Sequence, residues 1–350
     1  MRRETMLSND YFNKMVVRPN NPETPRSQLF VGTQCNYDCQ FCYYSTKLNI
    51  KNNSEEVFKQ MDFVQGYGIK DIEFTGGEPT IDPRWFDYLK YASINFRHIC
   101  VISSGTKFWD KEFTLKSKER GLREILFSLH GYDKESHERI TRRKGSWDKI
   151  ISSIENAKEL GLIVRINITV CNLNYKGLEK HAILVNKIQP TGINYIALNY
   201  WQDTVYSETT VPYKDMASNI KKAIDTLENI PFINVRYIPY CFMVGYEQYV
   251  CNWYQHCYDP WDWNNALKVL PSRAVLKDSW EFASIMRKNV YGKSNNCLRC
   301  KYVAICDGIE KELIPFNEVM PHSGKVIVDP NYFRKDYCSK EQYEGYVCSK

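Results

Sequence analysis

Short runs of β-branched and aromatic residues alternate with amphipathic stretches along the first two thirds of the chain. Apolar residues that recur every three or four positions indicate helices, and short apolar runs bounded by glycine or polar residues indicate strands. The predicted strands are 28–34, 71–75, 98–103, 124–129, 163–170 and 194–198, with a seventh strand-like run over 233–238. The predicted helices are 54–66, 83–96, 113–120, 146–160, 178–188, 214–229 and 279–288.

Six successive strand–helix units predict an α/β fold with a parallel sheet, because helix-length crossovers join parallel strands. The arrangement is either a complete or partial (β/α) barrel or, as the alternative, a doubly wound open sheet. In both folds the sites form at the carboxyl ends of the strands. We therefore expect chemistry in the residues that directly follow each strand.

After about residue 230 the pattern changes, and Cys, Tyr, Trp and Pro follow in irregular order. A Cys-rich segment with little regular structure usually needs a metal as part of its core. The sequence thus predicts an N-terminal extension over 1–27, an α/β domain over 28–230 and a Cys-rich domain over 231–350.

The overall composition is that of an ordinary globular protein, with 43% hydrophobic and 25% charged residues. The net charge is 47 − 41 = +6 without a basic block, which does not favour a nucleic-acid partner. No apolar run reaches the roughly 18 residues that a membrane span needs. The N-terminus has no apolar signal core, so we expect a cytoplasmic protein whose 13 Cys serve metal binding rather than disulfides.

The most informative motif is the run CNYDCQFC, which contains Cys35, Cys39 and Cys42. Three thiolates at this spacing can hold three irons of a [4Fe–4S] cluster and leave the fourth iron open for chemistry. A zinc knuckle or a set of buried thiols is the alternative. A Gly-Gly-Glu-Pro turn, Gly76 to Pro79, follows the next predicted strand.

The Cys run, the Gly-Gly-Glu-Pro turn and the aromatic Phe41 before Cys42 together resemble the radical S-adenosylmethionine (AdoMet) enzymes. The resemblance implies a partial (β/α)6 TIM-like barrel over about 28–230. It implies that the open iron binds the amino and carboxylate groups of AdoMet, which an electron cleaves to a 5′-deoxyadenosyl radical. It also implies a flavodoxin- or ferredoxin-type electron donor.

The resemblance also implies which residues contact AdoMet. It places those contacts at Phe41, Gly76, Gly77, Glu78, Pro79, Ser104, Ser128 and Asn167. The glycines would let the main chain approach the ligand, with Glu78 near its ammonium group. Ser104 stands where relatives often carry Asn, which is a departure from the family pattern. A plain turn or capped polar residues remain the alternatives, and no general acid or base can be named from spacing.

The run Cys297-x2-Cys300-x5-Cys306 resembles the auxiliary-cluster domain called SPASM, found in enzymes that modify peptides. Glu310 occupies the position of the next expected Cys. In the full pattern Cys297, Cys300, Cys306 and Cys338 would hold one [4Fe–4S] cluster, with Cys241 and Cys257 in a second, incomplete one. In the shorter "twitch" pattern Cys241, Cys257, Cys297 and Cys300 would hold a single cluster. Structural zinc is the alternative, because thiolate spacing alone does not distinguish these metals.

We therefore expect a radical AdoMet enzyme with at least one auxiliary [4Fe–4S] cluster that abstracts hydrogen from a peptide or protein side chain. The same chemistry on a small metabolite such as a sugar, an aminocyclitol or a nucleotide is the alternative. A non-catalytic zinc-binding or RNA-binding protein is a third possibility from a different class.

Overall fold

The structure is a computed structural model that describes residues 7–20, 23–42, 54–198, 211–262, 278–311, 319–335, 337 and 340–348. Its centre is a parallel sheet whose strands follow one another in chain order. The strands are β2 (Arg26–Phe30), β3 (Asp71–Thr75), β4 (His98–Ser103), β5 (Glu124–Ser128), β6 (Ile163–Val170), β7 (Gly192–Ala197) and β8 (Phe232–Arg236). This sheet is open, with β2 and β8 at its edges, and it forms a partial barrel.

Helices connect the strands and cover the outer face of the sheet. They are α2 (Ser54–Gly66), α3 (Trp85–Asn95), α4 (Lys111–Glu119), α5 (Lys134–Thr141), α6 (Ser146–Glu159), α7 (Leu178–Ile188) and α8 (Tyr213–Thr226). Strand residues alternate between the two faces, so Val164, Ile166 and Ile168 of β6 join the apolar core. The partial α/β barrel predicted from the sequence is confirmed, with a seventh strand in the sheet.

The inner face of the sheet carries a buried ionic network. Glu124 on β5 accepts hydrogen bonds from Arg26 at 2.7 Å and from Arg165 at 2.6 Å, and it lies 2.7 Å from His98. Burial alone would raise the pKa of Glu124, but the two guanidinium groups hold it well below its usual range. The network therefore satisfies charges that face the interior of the open barrel.

The C-terminal helix α11 (Lys340–Cys348) packs at the end of the barrel where strand β3 begins. The Tyr343 hydroxyl donates to Asp71 at 2.7 Å, and the Tyr343 ring packs edge-on against Trp261 with centroids 5.0 Å apart. Trp261 and Tyr343, which both follow residue 236, thus pack against the sheet at Arg26 and Asp71. The predicted division at residue 230 stays a prediction, and the sheet itself continues to Arg236.

A second sheet joins the two ends of the chain. Strand β1 (Leu7–Ser8) pairs antiparallel with β9 (Tyr291–Lys293), which also pairs with β10 (Ile309–Glu310). Helix α1 (Asn9–Asn13) follows β1, and α10 (Ser279–Val290) precedes β9. The N-terminal residues are therefore packed into the Cys-rich region. In the described parts of the chain, no helix combines the length and apolarity required to cross a membrane.

Candidate metal centres

The loop after β2 holds the N-terminal thiols. Cys35 is exposed, whereas Cys39 and Cys42 are half-buried. The Tyr37 main-chain N–H donates to Cys35 Sγ at 3.4 Å, and the Cys42 N–H donates to the Cys39 carbonyl at 2.9 Å. The backbone therefore folds tightly around the three sulfur atoms and places them at the carboxyl end of the first sheet strand.

Helix α5, which the sequence did not predict, fixes this loop from the side. The main-chain N–H groups of Asp38 and Gln40 donate to the carbonyls of Thr141 and Ile140 at 3.2 and 2.9 Å. These carbonyls belong to the last turn of α5, where helical carbonyls lack partners within the helix. The end of α5 thus orients the residues on both sides of Cys39.

Two of the N-terminal thiols, Cys35 and Cys39, have raised pKa values. Desolvation, together with the nearby Glu78 and Cys42 charges, raises the pKa of Cys35 to about 12. Desolvation and the neighbouring thiols also raise the pKa of Cys39. Because metal ligands must be thiolates, the positive charge of bound iron would offset this cost.

The two glycines of the Gly-Gly-Glu-Pro turn lie against the chain that leads into the Cys loop. The Gly77 N–H donates to the Gly32 carbonyl at 2.8 Å. A Cβ atom on Gly77 would stand 2.1 Å from the Gln34 carbonyl oxygen, and one on Gly76 would stand 2.3 Å from that of Gly32. The glycines therefore admit the main chain just before Cys35, and their predicted contact with AdoMet stays a prediction.

Glu78 joins the ends of β3 and β4. Its Oε1 accepts from the Ser103 hydroxyl at 2.9 Å and from the Thr80 hydroxyl at 2.6 Å. Its Oε2 accepts from the Ser104 N–H and hydroxyl, both at 2.7 Å. Both carboxylate oxygens of Glu78 and the Ser104 hydroxyl are therefore engaged in hydrogen bonds within the protein. Pro79 begins the short helical turn that follows.

The remaining predicted contacts lie on neighbouring strand ends. Ser128 at the end of β5 pairs in register with Asn167 on β6. The Asn167 Oδ1 atom is buried and has no hydrogen-bond partner in the structure. An orphaned acceptor at this edge of the sheet is available to a bound ligand with an N–H or O–H group.

Phe41 packs against a histidine that sequence reasoning did not assign. The rings of Phe41 and His130 meet edge-on with centroids 4.8 Å apart. The Thr169 N–H donates to His130 Nδ1 at 3.3 Å, which places the proton of the neutral ring on Nε2. Burial, with the neighbouring His137 and His181, holds the pKa of His130 well below its usual range. The feature of the sequence that could have identified His130 is its position two residues after the end of β5.

In the Cys-rich region four thiols line one pocket: three are close in sequence, and Cys241 comes from an earlier part of the chain. Cys241, Cys297, Cys300 and Cys306 all line this pocket, together with Lys293. Each thiol belongs to a buried residue. Burial raises the pKa of Cys306 to about 11 and also raises the pKa of Cys241 and Cys297. Uncharged thiols in such a pocket become ligands when a cation displaces their protons.

Each of the four sulfur atoms has a polar hydrogen-bonding group beside it. These groups are the Gly308 N–H at 3.4 Å from Cys306, the His322 N–H at 3.5 Å from Cys300, the Ser294 hydroxyl at 3.7 Å from Cys297, and the Met320 N–H beside Cys241. Hydrogen bonds to sulfur stabilise the charge of thiolate ligands and tune iron–sulfur clusters. The donor set therefore fits a cluster held by four thiolates.

The spacing of these sulfur atoms is wider than the spacing of the ligands of a single zinc ion. Four thiolates on one zinc lie about 3.8 Å apart, since each Zn–S bond is about 2.3 Å. Among the residues that the structure describes, no three of these sulfur atoms lie within 4.8 Å of one another. Ligands that each bind a different iron of a cube-shaped cluster stand farther apart than zinc ligands, so the wider spacing is compatible with such a cluster.

The structure places the other predicted auxiliary ligands elsewhere or leaves them undescribed. Cys257 lies in a separate cluster with Trp253 and Tyr254, and its thiol donates to the Trp253 carbonyl at 3.4 Å. Cys338 lies outside the described residues. The shorter "twitch" set thus differs from the four thiols that the described residues bring together, and the full set, which includes Cys338, stays a prediction.

Comparison with known proteins agrees with the N-terminal site. Residues 29–185 match the Radical SAM superfamily, a stretch that contains the Cys loop and the Gly-Gly-Glu-Pro turn. Over this stretch the chain is similar to the radical SAM superfamily. The match ends before the Cys-rich region, so the auxiliary centre depends on the geometry above.

Curated relatives match part of this chain. A probable GTP 3′,8-cyclase of Saccharolobus islandicus is 27% identical over 47% of this chain and 53% of its own length. One from Thermoplasma volcanium is 31% identical over 45% and 51%. The chain thus spans about half the length of these cyclases. The Fe-coproporphyrin III synthase of Methanosarcina barkeri is 24% identical over 76% of this chain and 64% of its own length.

Solved structures overlap part of the chain at low sequence identity. Streptococcus suis SuiB bound to its precursor peptide SuiA overlaps 61% of this chain and 48% of its own, with a TM-score of 0.49 and 12% identity. Methylornithine synthase overlaps 66% and 76%, with a TM-score of 0.46 and 14% identity. Such overlaps say nothing about substrate.

The close approach at Gly77 gives a testable prediction. Gly77→Ala should push the chain before Cys35 away, because the new Cβ would stand 2.1 Å from the Gln34 carbonyl. We expect the variant to fold but to lose at least half of the iron bound by the N-terminal loop after anaerobic reconstitution. Gly66→Ala is the matched control, since its Cβ would meet nothing within 4 Å. Equal iron content in the two variants would contradict this account of the turn.

Proposed function

We propose that the protein is a radical AdoMet enzyme with an N-terminal [4Fe–4S] cluster held by Cys35, Cys39 and Cys42 and an auxiliary [4Fe–4S] cluster. The observation that carries the proposal is the main-chain contact between the Gly-Gly-Glu-Pro turn and the Cys loop at the carboxyl end of the sheet. When bound, the N-terminal cluster and AdoMet supply a 5′-deoxyadenosyl radical that abstracts hydrogen from the substrate.

The protein's own residues position the cofactor and exclude side reactions. Glu78 fixes the turn by joining it to Ser103 and Ser104, so we infer that main-chain groups of the turn face the AdoMet amino group. Asn167 offers its unpartnered Oδ1 to a polar hydrogen of the ligand. Phe41 and His130 provide a packed wall that excludes water on the other side.

The auxiliary ligands in this proposal are Cys241, Cys297, Cys300 and Cys306. A metal centre whose ligands all come from the protein has no open position for substrate. The auxiliary cluster then supplies one-electron storage, which suits a reaction that ends in net oxidation of the substrate. A role as a substrate anchor is not favoured by a set of four thiols.

The substrate we propose first is a small metabolite, because the curated relatives are named for GTP and for an iron porphyrin. A peptide side chain is the second candidate, which the SPASM-like spacing of Cys297, Cys300 and Cys306 favours. A short Cys- or Gly-rich precursor gene next to the gene of this enzyme would favour the peptide. The electron donor in either case is a flavodoxin- or ferredoxin-type protein.

The N-terminal centre is tested by replacing Cys35, Cys39 and Cys42 together with Ala. We expect the triple variant to form no 5′-deoxyadenosine with AdoMet and dithionite, because the iron that binds AdoMet is lost. It should stay folded and keep about half of the wild-type iron, since the C-terminal thiols form a separate centre. Liquid chromatography of the products and an iron and sulfide assay provide the measurements.

Two results would overturn the proposal. Formation of 5′-deoxyadenosine at the wild-type rate would remove the N-terminal cluster from the reaction. A soluble triple variant that carries one zinc and no iron would show that the C-terminal thiols form a structural zinc site.

The auxiliary ligand set is tested by single substitutions in the triple variant. Cys241→Ala should lose most of the remaining iron, because its sulfur lines the four-thiol pocket. Cys257→Ala is the matched control and should keep it, because Cys257 packs in the separate cluster around Trp253. The electronic spectrum and iron content report on each. Loss of the cluster from Cys257→Ala alone would support the shorter "twitch" pattern instead.

A further inference from the structure

We propose that the buried ammonium group of Lys293 is the charge partner of the auxiliary cluster and raises its reduction potential. This inference rests on the proposed function, since it requires a cluster bound to Cys241, Cys297, Cys300 and Cys306. It concerns a residue that no motif in the sequence singled out. The evidence is the position of Lys293 in the fold, the partners of its ammonium group and the chemistry of the pocket.

Lys293 is the last residue of β9, the central strand of the small sheet, and its side chain is 1% exposed. It lines the same pocket as the four thiols. Its Nζ donates to Asn9 Oδ1 and lies 4.7 Å from the centroid of the Phe12 ring. Both contacts come from helix α1, so the N-terminal residues hold the lysine in place.

Asn9 is itself fixed in one orientation. Its Nδ2 donates to the main-chain carbonyls of Arg287 and Asp307 at 2.7 and 2.9 Å. This leaves Oδ1 as the atom that faces Lys293. An amide oxygen accepts a hydrogen bond but brings no negative charge, so Asn9 orients the ammonium without neutralising it.

The carboxylate of Asp307 acts on Lys293 by its charge, but it already has other partners. Asp307 Oδ1 lies 2.9 Å from Arg287 Nε, and Asp307 Oδ2 accepts from the Trp253 N–H at 3.2 Å. Arg287 also donates to the carbonyls of Ala304 and Cys306, each at 2.6 Å. Arg287 and Asp307 thus form a pair of balanced charge that braces the turn at Cys306.

The pocket therefore holds a buried cation beside four thiols. A buried charge is costly unless an opposite charge lies nearby. Burial and the nearby Arg287 charge lower the pKa of Lys293 to about 7, whereas negative charge on Cys306 and Cys297 would raise it. An anionic occupant of the thiol pocket would therefore stabilise the ammonium form of Lys293. A cluster with four thiolate ligands carries net negative charge, whereas an empty or neutral pocket does not.

The same geometry gives the direction of the redox effect. One-electron reduction makes the cluster more negative by one charge, and a fixed cation stabilises the reduced form more than the oxidised form. Because the site is enclosed, solvent screens this interaction weakly. Lys293 thus favours acceptance of an electron by the auxiliary cluster.

The test is a potentiometric titration of the auxiliary cluster, followed by electron paramagnetic resonance, in the full-length variant that lacks Cys35, Cys39 and Cys42. Lys293→Met should lower the equilibrium constant for reduction at least tenfold, which corresponds to about 59 mV for a one-electron couple. Lys293→Arg should restore most of the difference. Lys288→Met is the matched control, because it removes the same charge from a side chain that is 52% exposed.

The outcomes separate this inference from the proposed function. If the parent variant holds no iron–sulfur cluster, the auxiliary centre itself is wrong. If the cluster is present and Lys293→Met has the same midpoint potential as the parent variant, the role of Lys293 is overturned. Lys293→Gln, which keeps an N–H donor for Asn9, provides a second neutral variant. If only Lys293→Arg retains the cluster, the cation is required for assembly and the charge-partner role stands.

Discussion

The main-chain contact between the Gly76–Gly77 turn and residues 32–34 is the constraint on which the N-terminal site depends. Adjacent parallel strands carry these two segments to the same edge of the sheet, where the missing Cβ atoms let their backbones meet. The contact sets the starting position of the Cys loop, and helix α5 fixes its middle. Glu78 then ties the turn to β4, so three strand ends form one rigid support for a metal cluster.

The Cys-rich region is organised by a different constraint, the need to enclose buried thiols and charges. Its small sheet requires residues from both ends of the chain, and its turn at Cys306 is braced by the Arg287–Asp307 pair. Gly308 lets this turn pass close to β9, because a Cβ there would stand 2.2 Å from the Gly292 carbonyl oxygen. A metal bound in the resulting pocket would also stabilise the fold of this region.

Local patterns predicted most of the sheet. The bounds of β3, β4 and β6 agree with the predicted 71–75, 98–103 and 163–170, because glycine and polar residues punctuate buried apolar runs there. Helix α5 was missed because its mean composition is polar and its capping box at Asp133 was not recognised. The pairing of β1 with β9 joins residues nearly 300 positions apart, which no local pattern encodes.

The candidate site was predictable to the extent that its residues are close in sequence. The Cys loop and the turn were identified by spacing, but the roles of Glu78 and the glycines depend on contacts between strands. The auxiliary set could not be partitioned, because Cys241 reaches the other thiols only through the fold of the intervening chain. Lys293 carries no motif, so only the structure associates it with the thiols.

The central claim is that the chain holds two separate iron centres with these ligand sets. The most direct measurement is anomalous diffraction at the iron absorption edge from crystals of the anaerobically reconstituted, full-length protein. The account predicts two iron peaks, one beside Cys35, Cys39 and Cys42 and one inside the pocket of Cys241, Cys297, Cys300 and Cys306. A single iron peak, a second peak beside Cys257, or a zinc-edge peak in the four-thiol pocket would contradict it.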